Sequence, residues 1–175
     1  MYIALFNFYQ LLISSDLLIL CYLADVYSLL LHSALLQHFM CHRFLTVNLS
    51  RNINFIHGAN GSGKSAILAA LQITLGAKAR YTHRANKLAD FIDHEWEGNA
   101  EVSVKLLNTE SDGYRYDLYG PSITVKRILS HSGPSTLALI SDDGVVVSKD
   151  RKEVSHTWCY VIIAYVHQLL STAVP

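Results

Sequence analysis

The sequence predicts an α/β fold, a mixed sheet that carries one phosphate-loop helix and a run of antiparallel strands. Three observations predict it. A short β-prone run, Asn52-Ile53-Asn54-Phe55-Ile56-His57, leads straight into Gly58-Ala59-Asn60-Gly61-Ser62-Gly63-Lys64-Ser65, which fits G-x-x-x-x-G-K-[ST] at every specified position. Good helix formers follow at once, and beyond them segments with strand alternation are separated by turns. The 175 residues, 51% hydrophobic and 16% charged, suit one domain with a buried core and are too apolar for a disordered tail.

In chain order, residues 1–36 form an apolar leader without Lys or Arg. As a signal peptide it lacks a positively charged start, and Asp16 and Asp25 interrupt it. As a membrane span, the stretch from Leu17 to Leu36 has nearly the required length, but Asp25 lies inside it and no basic anchor comes before Arg43. The third reading is one or two buried helices, with Leu18, Cys21, Tyr22 and Leu29 at helical spacing. Residues 37–153 have the texture of a soluble domain, and residues 154–175 form a divergent apolar tail whose run from Trp158 to Val166 suits a buried strand or short helix.

The phosphate loop is the strongest signal. Its glycines allow backbone conformations closed to other residues, so the amide N–H groups can turn inward as an anion nest. The helix expected from Lys64 adds its partial positive end, and Gly76 is placed to stop it. Residues 58–65 are therefore the nucleotide-binding candidates for ATP, with Lys64 reaching the β- and γ-phosphates and the Ser65 hydroxyl a ligand for Mg²⁺. Ile67, Leu68, Leu71 and Leu75 supply the helix's core face.

An ATPase of this kind also needs an apolar strand ending in an acid. The run from Ile19 to Asp25 imitates one but precedes the loop. The run from Leu137 to Asp142 is nearer the pattern, yet Asp143-Gly144 between β-prone runs is a hairpin signature. No catalytic residue is therefore assigned, and hydrolysis by this chain alone has no evident means. Past the helix, Lys78, Arg80, Arg84 and Lys87, with Tyr81 among them, are either a solvated loop or contacts for DNA phosphates. Segments Glu101–Leu107, Ser122–Leu129, Leu137–Ile140 and Val145–Val147 then read as strands of a small antiparallel sheet.

Fourteen basic and fourteen acidic residues leave no net charge, so any nucleic-acid contact must come from a local patch. Cys21, Cys41 and Cys159 stand far apart, which argues against a disulfide framework and for a reducing, intracellular setting. His42, His83 and His94 have no metal-ligand spacing with them and read as ordinary polar residues.

Together, Phe39-Met40-Cys41-His42, Leu45, Val47, Asn54-Phe55-Ile56 and the run GANGSGKSAILAALQITLGAKARYTHRA resemble the N-terminal head of the structural-maintenance-of-chromosomes (SMC) ATPases, in particular the subunit-six type of the SMC five-six complex. The likeness continues through Val125-Lys126-Arg127 and Val146-Val147-Ser148 and fades near Glu153, so it includes neither end of the chain. It implies the N-terminal lobe of an ABC-type head, truncated here, with signature motif, acidic strand and coiled coil lying elsewhere in such proteins. It further implies ATP sandwiched with a second SMC head of the subunit-five type, DNA as partner, and a nuclear, chromosomal role in maintenance and recombinational repair. By the same resemblance the basic stretch around Arg80 and Arg84 is similar to an arginine-bearing, DNA-facing loop, and Gln168 stands roughly where a Mg²⁺-ligating glutamine is expected. A non-catalytic fragment and a membrane-associated P-loop protein are the alternative readings.

Overall fold

A computed structural model describes residues 3–4, 31–50, 54–110, 113–150, 152–154 and 157. Most of the apolar leader, and the tail run from Trp158 to Val166 with Gln168, lie outside the described residues.

The main sheet is six-stranded and antiparallel throughout. Its strands are β2 (Leu31–Phe39), β3 (His42–Asn48), β5 (Ala100–Leu107), β6 (Ser122–Leu129), β7 (Thr136–Ile140) and β8 (Val146–Ser148), in the order β3-β2-β5-β6-β7-β8. A separate two-stranded pairing joins β1 (Ile3–Ala4) to β4 (Phe55–Ile56), the strand that feeds the phosphate loop. The helix α1 (Lys64–Thr74) lies across β2, β5 and β6, and a single helical turn, α2 (Tyr116–Tyr119), precedes β6.

Period-two alternation makes the sheet. In β5, Ala100, Val102, Val104 and Leu106 are fully buried while Glu101, Ser103, Lys105 and Leu107 are half-buried on the other face. β6 follows the same rule with Ile123, Val125 and Leu129 inward. Against this face α1 packs Ala66, Ile67, Ala69, Ala70, Leu71 and Ile73; Leu68, expected on the core face, is only half-buried. Each large apolar side chain buried here contributes roughly 1.5–3 kcal/mol relative to exposure.

The helix ends as Gly76 suggested. The Gly76 N–H donates to Ile73 O (3.1 Å) and the Ala77 N–H to Gln72 O (3.0 Å), the paired bonds of a Schellman stop. A buried cation reinforces that end: Arg127 on β6, 3% exposed, donates to the Ile73 carbonyl and, at 3.2 Å, to Ser135 Oγ.

Two strand boundaries differ from the sequence reading. β2 begins at Leu31, so residues 31–36, counted with the apolar leader, belong to the sheet. The reason is position: β2 is flanked by β3 and β5, so both backbone edges are paired, and its apolar character continues that of the residues before it. The β-prone run at 52–57 yields strand only at Phe55–Ile56 among its described residues. The expected hairpin at Asp143-Gly144 is present: the Ser141 N–H donates to Val145 O and the Gly144 N–H to Ser141 O, joining β7 to β8. Among the described residues, no helix is long and apolar enough to cross a membrane.

Candidate nucleotide site

β4 and α1 flank the phosphate loop. β4 delivers the chain to Gly58, the loop runs exposed from Gly58 to Ser62, and α1 starts at Lys64 with Gly63 as its N-cap. Gly63 has φ +85°, in the left-handed region that side-chain-bearing residues avoid. No side chain caps the helix start. The first amides of a helix have no intrahelical acceptor, so they are left for an anion.

Lys64 is only 6% exposed, and its ammonium donates to Gly58 O at 2.8 Å and Ala59 O at 2.6 Å. These two carbonyls hold the ammonium at the loop's centre.

A cavity of about 300 Å³ opens at this point, at the small end of ligand sites and suited to a phosphate chain. Asn60, Gly61, Gly63, Lys64 and Ser65 line it from the loop, followed by Ala66. Of the remaining predicted loop residues, Gly58 and Ala59 supply the carbonyls that hold Lys64, and the Ser62 N–H closes the loop onto Ala59 O at 3.3 Å.

The facing wall comes from the β2–β3 turn through Met40 and Cys41, which sequence reasoning did not assign to the site. Behind them the His42 ring reaches Gly63 O at 3.2 Å. The signal that could have found them was the two-residue spacing between Phe39 and His42, which makes a tight hairpin. It lacked the usual Asn-Gly or Gly-x pair.

Arg84, expected beside DNA, lines this same cavity. Lys78, Arg80 and Lys87 are exposed on the connecting segment that follows α1. There Arg80 lies over the Tyr81 ring, 5.0 Å from its centroid, and its Nη2 donates to the Tyr81 hydroxyl at 3.2 Å. That hydrogen bond first, and the guanidinium charge second, hold the Tyr81 phenol below its ordinary pKa.

Ser65 offers one hydroxyl oxygen at the cavity, a fit for Mg²⁺, which takes few protein ligands and completes its shell with phosphate and water. Among the described residues, no group of three or more His, Cys, Asp or Glu side chains is placed to hold a metal ion. Asp142, at the hairpin, accepts from the Ser122 hydroxyl and from Lys105 Nζ (3.2 Å).

Comparison with known proteins gives a consistent result. Residues 35–169 match the AAA domain family. The structural maintenance of chromosomes protein 6 of Dictyostelium discoideum is 40% identical over 126 residues, covering 72% of this chain and 10% of that protein. A chain solved in work on the ATP-driven dimerization and DNA-stimulated activation of SMC ATPases superposes with a TM-score of 0.62 at 23% identity, covering 75% of this chain and 79% of that one. The Smc head domain with an extended coiled coil, bound to the C-terminal domain of ScpA from Pyrococcus furiosus, gives a TM-score of 0.56 at 22% identity, covering 75% and 33%. The chain spans about a tenth of the length of the curated relatives it matches.

Proposed function

Because this chain belongs to the AAA domain family and has the fold of the N-terminal lobe of an SMC-type ATPase head, we propose that it is the ATP-binding half of such a head, working in chromosome maintenance and recombinational DNA repair. The observation that carries this reading is the phosphate loop itself, set between β4 and α1 with Lys64 and Ser65 both at the cavity. The loop amides and the start of α1 receive the β- and γ-phosphates, and Lys64 moves from the Gly58 and Ala59 carbonyls onto phosphate oxygen. Arg84 supplies a second positive charge at the rim.

Ser65 would hold Mg²⁺, which when bound supplies charge neutralisation at the phosphates. Gln168 is a second ligand by resemblance alone. Among the described residues no carboxylate lines the cavity, and turnover by this chain alone is not part of the proposal. Its partners in this reading are a second SMC head, of the subunit-five type, and DNA on the nuclear chromosome. The exposed row of Lys78, Arg80 and Lys87, with Tyr81 as a stacking surface, supports the DNA part.

The test is Mg-ATP binding by isothermal calorimetry to the full chain and to Lys64→Ala. Loss of a charge-assisted contact worth roughly 1.5–3 kcal/mol predicts a weakening of about 10- to 100-fold. Equal affinity in both proteins would overturn the reading.

A further inference from the structure

We propose that His42 is a positioning residue for the phosphate loop, a brace that fixes Gly63 from the sheet side and so sets the position of Lys64 and Ser65. The inference rests on the nucleotide-binding reading and names a part of that site that the loop motif does not contain.

The His42 Nε2 lies 3.2 Å from Gly63 O. A carbonyl can only accept, so Nε2 carries the proton and donates. The same carbonyl accepts from the N–H groups of Ala66 (3.0 Å) and Ile67 (3.3 Å), so it stands where loop becomes helix. Contact is also steric: a Cβ on Gly63 would fall on the His42 imidazole and 2.8 Å from Cys41 Sγ.

A brace needs a fixed base, and the turn has one. Phe39 pairs with His42 across the two-residue turn Met40-Cys41. Phe39 stacks on Phe91, with ring centroids 5.3 Å apart and planes 11° from parallel, and both side chains are fully buried. Alongside, the Met40 N–H donates to Phe91 O at 2.7 Å and the Asp93 N–H to His38 O at 2.9 Å. Met40 itself has φ +52°, a conformation that such a residue keeps only where its surroundings impose it. A continuous set of contacts thus runs from the core through the turn to the residue before Lys64. A phosphate site needs donors placed to within about half an ångström, which an exposed glycine loop does not hold unaided.

The experiment compares His42→Leu, His42→Gln and His42→Asn in the full chain. Gln carries an N–H donor about as far out as Nε2, whereas the donor of Asn stops short. Two readouts apply: Mg-ATP affinity, and hydrogen–deuterium exchange of the peptide 58–66 without nucleotide. We expect His42→Leu and His42→Asn to bind about tenfold more weakly and to exchange that peptide faster, with His42→Gln close to wild type in both. Wild-type affinity and exchange in folded Leu or Asn variants would overturn the brace, as would a Gln variant no better than Asn. Should the Leu variant fail to fold, the Gln–Asn pair decides. If the wild-type chain binds no Mg-ATP at all, the functional reading falls, and the exchange arm still tests the brace.

Discussion

Gly61 and Gly63 have nearly the same φ, +83° and +85°, yet their surroundings differ. A Cβ at Gly61 meets nothing within 4 Å, whereas one at Gly63 meets His42 and Cys41. Conformation alone therefore predicts that Gly61→Ala destabilises the chain by about 1 kcal/mol. Gly63→Ala adds displacement of the β2–β3 turn and should cost roughly 2 kcal/mol or more, with loss of Mg-ATP binding. Urea unfolding of the two variants gives the comparison, and equal losses would mean that the turn yields freely. The loop residues were legible in the sequence because their spacing is a local motif. Cys41 and His42 were not, because what brings them to Gly63 is the docking of one hairpin turn on Phe91, and no local pattern encodes that.

Strands and the helix were legible to the extent that one face of each differed from the other. β5 and β6 alternate, and α1 is built from helix formers with a glycine stop, so their bounds follow from the residues almost unchanged. β2 did not declare itself, since its apolar residues continue a long apolar stretch and the period is lost in it. The turn at Asp142 ties the β7–β8 hairpin to two further strands: its carboxylate accepts from Ser122 at the start of β6 and from Lys105 on β5. The Ser122 hydroxyl first, then Lys105, hold the Asp142 carboxyl below the usual carboxylate range. A carboxyl held low in the folded chain stabilises it at neutral pH, and that contribution is lost as pH falls below about 3.9 and through the folded value. Ser122→Ala lets the carboxyl rise toward its ordinary value, so the acid-unfolding midpoint should move up by a few tenths of a pH unit. A pH titration followed by circular dichroism reads this directly, and an unmoved midpoint would show that the network has no linkage to folding.

At the scale of the whole molecule, the basic residues proposed for DNA contact belong to the same excursion as the phosphate loop. β5 to β8 are joined in sequence by short connections, but β2 and β5 are neighbours in the sheet while residues 49–99 leave and return between β3 and β5. That excursion carries the loop, α1 and the basic residues. In kinetic terms, the β5–β8 meander can form from near neighbours, whereas pairing β2 with β5 requires closure of a long loop, with its entropy lost before any contact is gained. Loop closure on this scale predicts that the phosphate-loop region assembles together with closure of the sheet. Stopped-flow refolding should show recovery of fluorescent ATP-analogue binding with the same time constant as the slowest sheet-forming phase, and binding that returns earlier would separate the two. If the two time constants coincide, bound nucleotide becomes a report on whether β2 has closed on β5.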